Sequence, residues 1–142
     1  MSIQQSMSDI EDLFSIFDDP KDRLAQLMDL AKESEGIPVS ERTEETRVYG
    51  CASQAWVIGR KIGNNYVFRC DSDALIVKGL LSLLCKIFSG NKAMEIRSLD
   101  HSKILNLVGL SGSISVQRTN GFASAVDKIH KISVWIPIKI IE

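Results

Sequence analysis

Ala55-Trp56-Val57-Ile58-Gly59-Arg60-Lys61-Ile62-Gly63-Asn64-Asn65-Tyr66-Val67-Phe68-Arg69-Cys70-Asp71 runs through Ser72 and Asp73 straight into the apolar stretch Ala74 to Phe88. Two periodicities meet there. Ala55 to Ile62 and Tyr66 to Asp71 read as strands, and Gly63, Asn64 and Asn65 between them carry the turn chemistry of a hairpin. Along the second strand Tyr66, Phe68 and Cys70 share one face while Val67, Arg69 and Asp71 share the other, so one face is expected to be buried. Arg47 to Tyr49, stopped by Gly50, is a third, shorter candidate strand. From Ala74 to Phe88 the apolar residues leave a single polar stripe, Lys78, Ser82 and Lys86, which predicts a central and mostly buried helix. Ser72 or Asp73 is its expected cap and Gly90 its end. The implied fold class is α+β, a small three-stranded antiparallel sheet flanked by helices.

Upstream, Ile10, Leu13, Phe14 and Phe17 follow the candidate cap Ser8, with Glu11 placed to complete a capping box. After Pro20, residues Leu24, Leu27, Met28 and Ala31 mark a second helical face, which Gly36 and Pro38 end. These read as a helical hairpin. Pro38 to Thr46 is a polar connector without periodicity. Downstream, helices are expected near Ala93 to Leu99 and His101 to Leu107, then a small-residue break from Gly109 to Ser113. A last amphipathic helix follows from about Thr119 to Ser133. Val134 to Ile141 could be an extra strand, a packed extension or a disordered end. The whole reads as one domain over residues 1–142, with a core of about 8–133 and an extension of 134–142.

The chain has 142 residues, 17 basic against 18 acidic side chains and a formal net charge of -1, so it offers no broad positive field for nucleic acid. No apolar run reaches the roughly 20 residues of a membrane span. Met1 to Asp9 lacks the basic-then-apolar layout of a secretory signal, and a cytoplasmic location is expected. Three cysteines without paired short spacing suit free thiols in a reducing compartment better than a disulfide framework.

Cys51 lies in Tyr49-Gly50-Cys51-Ala52-Ser53-Gln54, between strands, where Gly50 allows a sharp turn that would present the sulfur. That position suits a nucleophile, although a free cysteine can equally be a packed one. Cys70 and Cys85 fall on apolar faces and read as core. A metal or iron-sulfur scaffold using all three cysteines is the alternative, although their intervals contain no Cys-x-x-Cys knuckle. Neither histidine, His101 nor His130, sits in a catalytic context, so Cys51 has no evident base of its own. Such a thiol suits a carrier activated by a partner's site better than a self-sufficient enzyme. Asp71 and Asp73 could form an acid/base pair, but helix capping explains them more simply. Arg118, just before the last helix, could hold an anionic group.

Gly50-Cys51-Ala52-Ser53-Gln54-Ala55-Trp56-Val57, the hairpin, and Asp71-Ser72-Asp73-Ala74-Leu75-Ile76-Val77-Lys78-Gly79-Leu80 resemble, in order and separation, the SufE family of iron-sulfur cluster biogenesis. The resemblance covers roughly Ser8 to Ser133 and includes Arg118-Thr119-Asn120-Gly121-Phe122, although Val116 stands where the family usually has proline. It implies a fold shared with IscU-type scaffolds. It also implies a sulfur acceptor that takes persulfide sulfur from a pyridoxal-phosphate cysteine desulfurase (SufS or CsdA-like), stimulates it, and delivers to a SufBCD-type scaffold. On that resemblance Cys51 is the acceptor, no cofactor is needed beyond its transient persulfide, and neither nucleic acid nor membrane is a partner. Asp73 and Arg118 match positions tied to the active loop and to partner engagement. Gly50, Ser53, Gln54 and Trp56 complete the expected site, with Trp56 a candidate to shelter the persulfide.

Overall fold

The computed structural model describes residues 2–134, so the expectations for Val134 to Ile141 lie, apart from the last helical residue, outside the described residues. In chain order the elements are α1 (Ile3–Ser15), α2 (Pro20–Glu33), a 3-10 turn (Val39–Glu41), β1 (Ala55–Ile62), β2 (Asn65–Ser72), α3 (Leu75–Phe88), α4 (Ala93–Arg97), α5 (His101–Leu107) and α6 (Val116–Val134).

β1 and β2 form the expected antiparallel hairpin, with Val57 opposite Cys70 and Ile62 opposite Asn65. Gly63 opens the turn with φ 62°, a conformation that a two-residue turn of type II′ requires and that glycine adopts without strain. Tyr66, Phe68 and Cys70 are buried as their alternation predicts. Among the described residues, however, the sheet has two strands and not three. Arg47 makes only an isolated bridge to Trp56, held by Val48 N–H to the Ala55 carbonyl and Val57 N–H to the Thr46 carbonyl, both 2.8 Å. Immediately afterwards Gly50 (φ 90°) turns the chain off the sheet edge before a ladder can extend.

α3 is the hub. Leu83, Leu84, Ile87 and Phe88 are completely buried, and the helix packs on α2, β2, α6 and α1. Gly79 permits the close approach to α2, because a methyl group there would stand 2.8 Å from the carbonyl carbon of Leu27. At about 25 cal/mol per Å², burial of such a helix is the main stabilising contribution, well beyond its helix propensity.

Several boundaries differ from the sequence expectation. α1 starts at Ile3, capped by Ser2 accepting from the Gln5 amide (3.1 Å), and not after Ser8. The reason is that Ile3 and Ser6 extend the buried face of Ile10 and Phe14 by two turns. α2 includes Pro20 at its first turn, where the missing N–H costs nothing, with Asp19 as cap. The connector after Pro38 is tied down by buried Asp71. That carboxylate accepts from Ile37 N–H (2.9 Å), Arg42 Nη2 (2.8 Å) and Ser72 N–H (2.8 Å), and pairs with Lys78 at 3.5 Å. Burial works against the charge, but the Ile37 and Ser72 amides together with Lys78 and Arg42 outweigh it and hold Asp71 below the usual carboxylate range. Asp71 is therefore a structural anchor and has no place in an acid/base pair.

Candidate functional site

Cys51 sits in a loop whose two ends are fixed and whose middle is not. One end is the bridge at Val48. The other is Gln54, whose N–H donates to Asp73 Oδ1 (3.1 Å) and whose carbonyl accepts from the Asp73 N–H (3.1 Å) and the Ser72 hydroxyl (2.7 Å). Asp73 thus staples the loop to the end of β2 and does not cap α3. That helix begins after Ala74 with no side-chain cap on its first turn, although the Ser72 hydroxyl accepts from the Ala74 N–H (3.2 Å). Among the described residues, no hydrogen bond of good geometry joins Gly50, Cys51, Ala52 or Ser53 to the rest of the chain. Such a segment has little to lose on moving.

The loop lies against α6. Gly50 faces Ser124, and a methyl group at Gly121 would stand 2.7 Å from Cys51 Sγ and 3.4 Å from its Cα. The sulfur therefore rests directly on helix backbone. α6 begins at Val116, three residues earlier than its amphipathic pattern suggested, because Ser115 caps it by accepting from the Arg118 N–H (3.1 Å). Arg118 is consequently in the first turn of the helix and not ahead of it.

Between the loop, the start of α3 and the start of α6 is an open cavity of about 290 Å³. Cys51, Ala52 and Ser53 form one wall, Val77, Leu80 and Leu81 the floor, and Ser115, Gln117, Arg118 and Phe122 the far side. Its floor is apolar, and Arg118 and the N-terminal end of α6 border it. Cys51 itself is half-buried. Burial pushes its thiol up from the ordinary value, and the charge of Arg47 pulls it part of the way back.

The structure brings Cys51, Ser53 and Arg118 onto one cavity, with Gly50, Gln54 and Asp73 shaping the loop. Trp56 does not join them. It is 7% exposed, away from the cavity lining, with the Arg42 guanidinium 5.1 Å from its ring centre. Nor do the three cysteines converge. Cys70 and Cys85 line a different cavity that shares no residue with that of Cys51, and the described residues hold no group of three or more potential metal ligands. In this arrangement the three cysteines do not form one ligand set. His130 is half-buried, its Nε2 3.0 Å from the Leu99 carbonyl and its ring edge-on to Phe88; neither it nor His101 lines the cavity. Sequence reasoning missed Arg47 and the contact made by Gly121. An isolated glycine inside an otherwise amphipathic helix was the available signal for the latter.

Comparison with known proteins places the chain in a family. The family described as SufE, Fe-S metabolism associated domain, matches residues 8–133. A SufE-like protein of Rhizobium meliloti is 37% identical over 128 residues, covering 87% of this chain and 91% of the relative, and one of Rhizobium etli is 38% identical over 130 residues, covering 89% and 88%. The solution structure of a hypothetical protein from Thermus thermophilus superposes with a TM-score of 0.72 over 88% of this chain and 90% of its own, at 18% identity, and so shows the common fold. The chain belongs to the SufE family, whose domain is associated with iron-sulfur metabolism.

Proposed function

We propose that this protein is a sulfur carrier that accepts persulfide sulfur on Cys51 from a pyridoxal-phosphate cysteine desulfurase of the SufS type, stimulates that enzyme, and passes the sulfur to a SufBCD-type scaffold. The observation that carries the reading is Cys51 at the wall of a cavity of about 290 Å³, on a loop tied only at its ends. A second sulfur atom is comparable in size to a water molecule, whose share of liquid volume is about 30 Å³, so the cavity can house it.

The transfer is thiol exchange. The Cys51 thiolate attacks the outer sulfur of the donor's persulfide, the sulfur-sulfur bond of the donor breaks, and the donor leaves as a thiolate while Cys51 becomes the persulfide. No electrons are gained or lost overall. At rest the raised thiol of Cys51 keeps the thiolate scarce, which protects it from stray oxidants. Docking that draws Gly50 to Ser53 outward would release the sulfur from Gly121 and lower the cost of ionisation. The persulfide then returns to the apolar floor of Val77, Leu80 and Leu81, beside Arg118.

Alanine release by a SufS-type desulfurase, measured with and without this protein, tests the reading. Wild type is expected to accelerate turnover, and Cys51→Ser to fold normally and give no acceleration, whereas Cys70→Ser and Cys85→Ser keep it. Undiminished acceleration by Cys51→Ser would contradict the proposal.

A further inference from the structure

Cys70 and Cys85, which play no part in the proposed transfer, are themselves a pair. Cys70 projects from the buried face of β2 and Cys85 from the side of α3 that covers it. The hydroxyl of Ser82, three residues before Cys85 on α3, lies 3.9 Å from the Cys70 sulfur, which sets Cys70 against the stretch of α3 that carries Cys85. Both side chains line one cavity of about 240 Å³, with Glu33 and Lys86 also in its lining, and it shares no lining residue with the cavity of Cys51. Cys70 is buried, and Cys85 is partly exposed.

Of two neighbouring thiols, the one that ionises more readily is the attacking group, and the other can resolve the mixed disulfide it forms. The neighbouring Cys85 holds Cys70 below the ordinary thiol range, while Cys70 and burial raise Cys85 well above it. Cys51 has no second thiol on its cavity.

We propose that Cys70 and Cys85 form a second thiol site that reacts with small-molecule disulfides and closes a β2–α3 disulfide independently of Cys51. In the first step the thiolate of the pair attacks one sulfur of the small disulfide and expels a thiolate, leaving a mixed disulfide. In the second the remaining thiol loses its proton to solvent and attacks the protein sulfur of that mixed disulfide, expelling the second small thiol. Two protein thiols are oxidised, one disulfide is reduced to two thiols, and the balance needs no other oxidant. The site rests on the sulfur pair and its cavity, not on the sulfur-carrier reading.

The test uses folded, full-length wild type incubated with excess oxidised glutathione, then alkylated and digested without reduction for mass mapping. The expected product has lost two hydrogens and carries a Cys70–Cys85 linked peptide, and both cysteines disappear from the alkylated pool. The same product should form in Cys51→Ser and fail in Cys85→Ser. Cys70 and Cys85 remaining fully alkylated in wild type, or a bridge that includes Cys51, would overturn the proposal.

Discussion

The sulfur of Cys51 lies on the backbone of Gly121, in the second turn of α6, close enough that a methyl group at 121 would stand 2.7 Å from it. The loop is thereby parked against a rigid element through the sulfur on Gly121, with Gly50 facing Ser124 beside it. Resting burial and mobility follow from the same pair of residues.

Gly121→Ala is expected to push the loop off α6 without unfolding the protein, since alanine favours the helix by about 1 kcal/mol while Gly50 to Ser53 have no good hydrogen bonds to break. With burial relieved, the Cys51 thiol should ionise more readily. The rate of its alkylation at neutral pH should rise several-fold, measured by iodoacetamide labelling in a Cys70→Ser/Cys85→Ser background. An unchanged or slower rate would show that Gly121 does not hold the sulfur in its resting place.

Asp73→Ala removes the acceptor for the Gln54 N–H. Because Asp73 is exposed, the global cost should stay near about 0.5 to 1 kcal/mol. The local effect should be larger, with the Gln54 amide exchanging with solvent much faster than in wild type, as hydrogen exchange would read, while Asp73→Asn, which keeps an acceptor oxygen, stays close to wild type.

Asp71 gives the fold a pH dependence with a definite sign. Its carboxyl is held below the value it takes in the unfolded chain, so its contribution is fully present above the unfolded value of about 3.9 and is lost as the pH falls through the folded one. Urea midpoints measured from pH 6 downward should therefore drop more steeply for wild type than for Asp71→Asn. Asp71→Ala, which strands the Ile37 amide and the Arg42 guanidinium, should cost about 2 to 3 kcal/mol at pH 7.

The hairpin, the apolar α3 and the cysteine loop were legible because each is written in local periodicity or turn chemistry. Tyr66, Phe68 and Cys70 alternate, and Gly63 supplies the turn. What was not legible depends on distant partners. Asp73 next to a helix start looks like a cap, and only the fold brings Gln54 within reach of it. Trp56 looks like a pocket wall from its nearness to Cys51, yet neighbouring residues of a strand point to opposite sides, and the fold sets Arg42 over the ring of Trp56. The third strand failed for a similar reason: Arg47 to Tyr49 has strand-like residues, but extension of the ladder depends on where Gly50 sends the chain.

The most direct measurement is peptide-level mass mapping of the protein after incubation with a cysteine desulfurase and cysteine, alkylated to trap persulfides. One additional sulfur on the peptide bearing Cys51, absent from Cys51→Ser and from the peptides bearing Cys70 and Cys85, is the predicted result. Additional sulfur on either of those two cysteines with none on Cys51 would contradict the account.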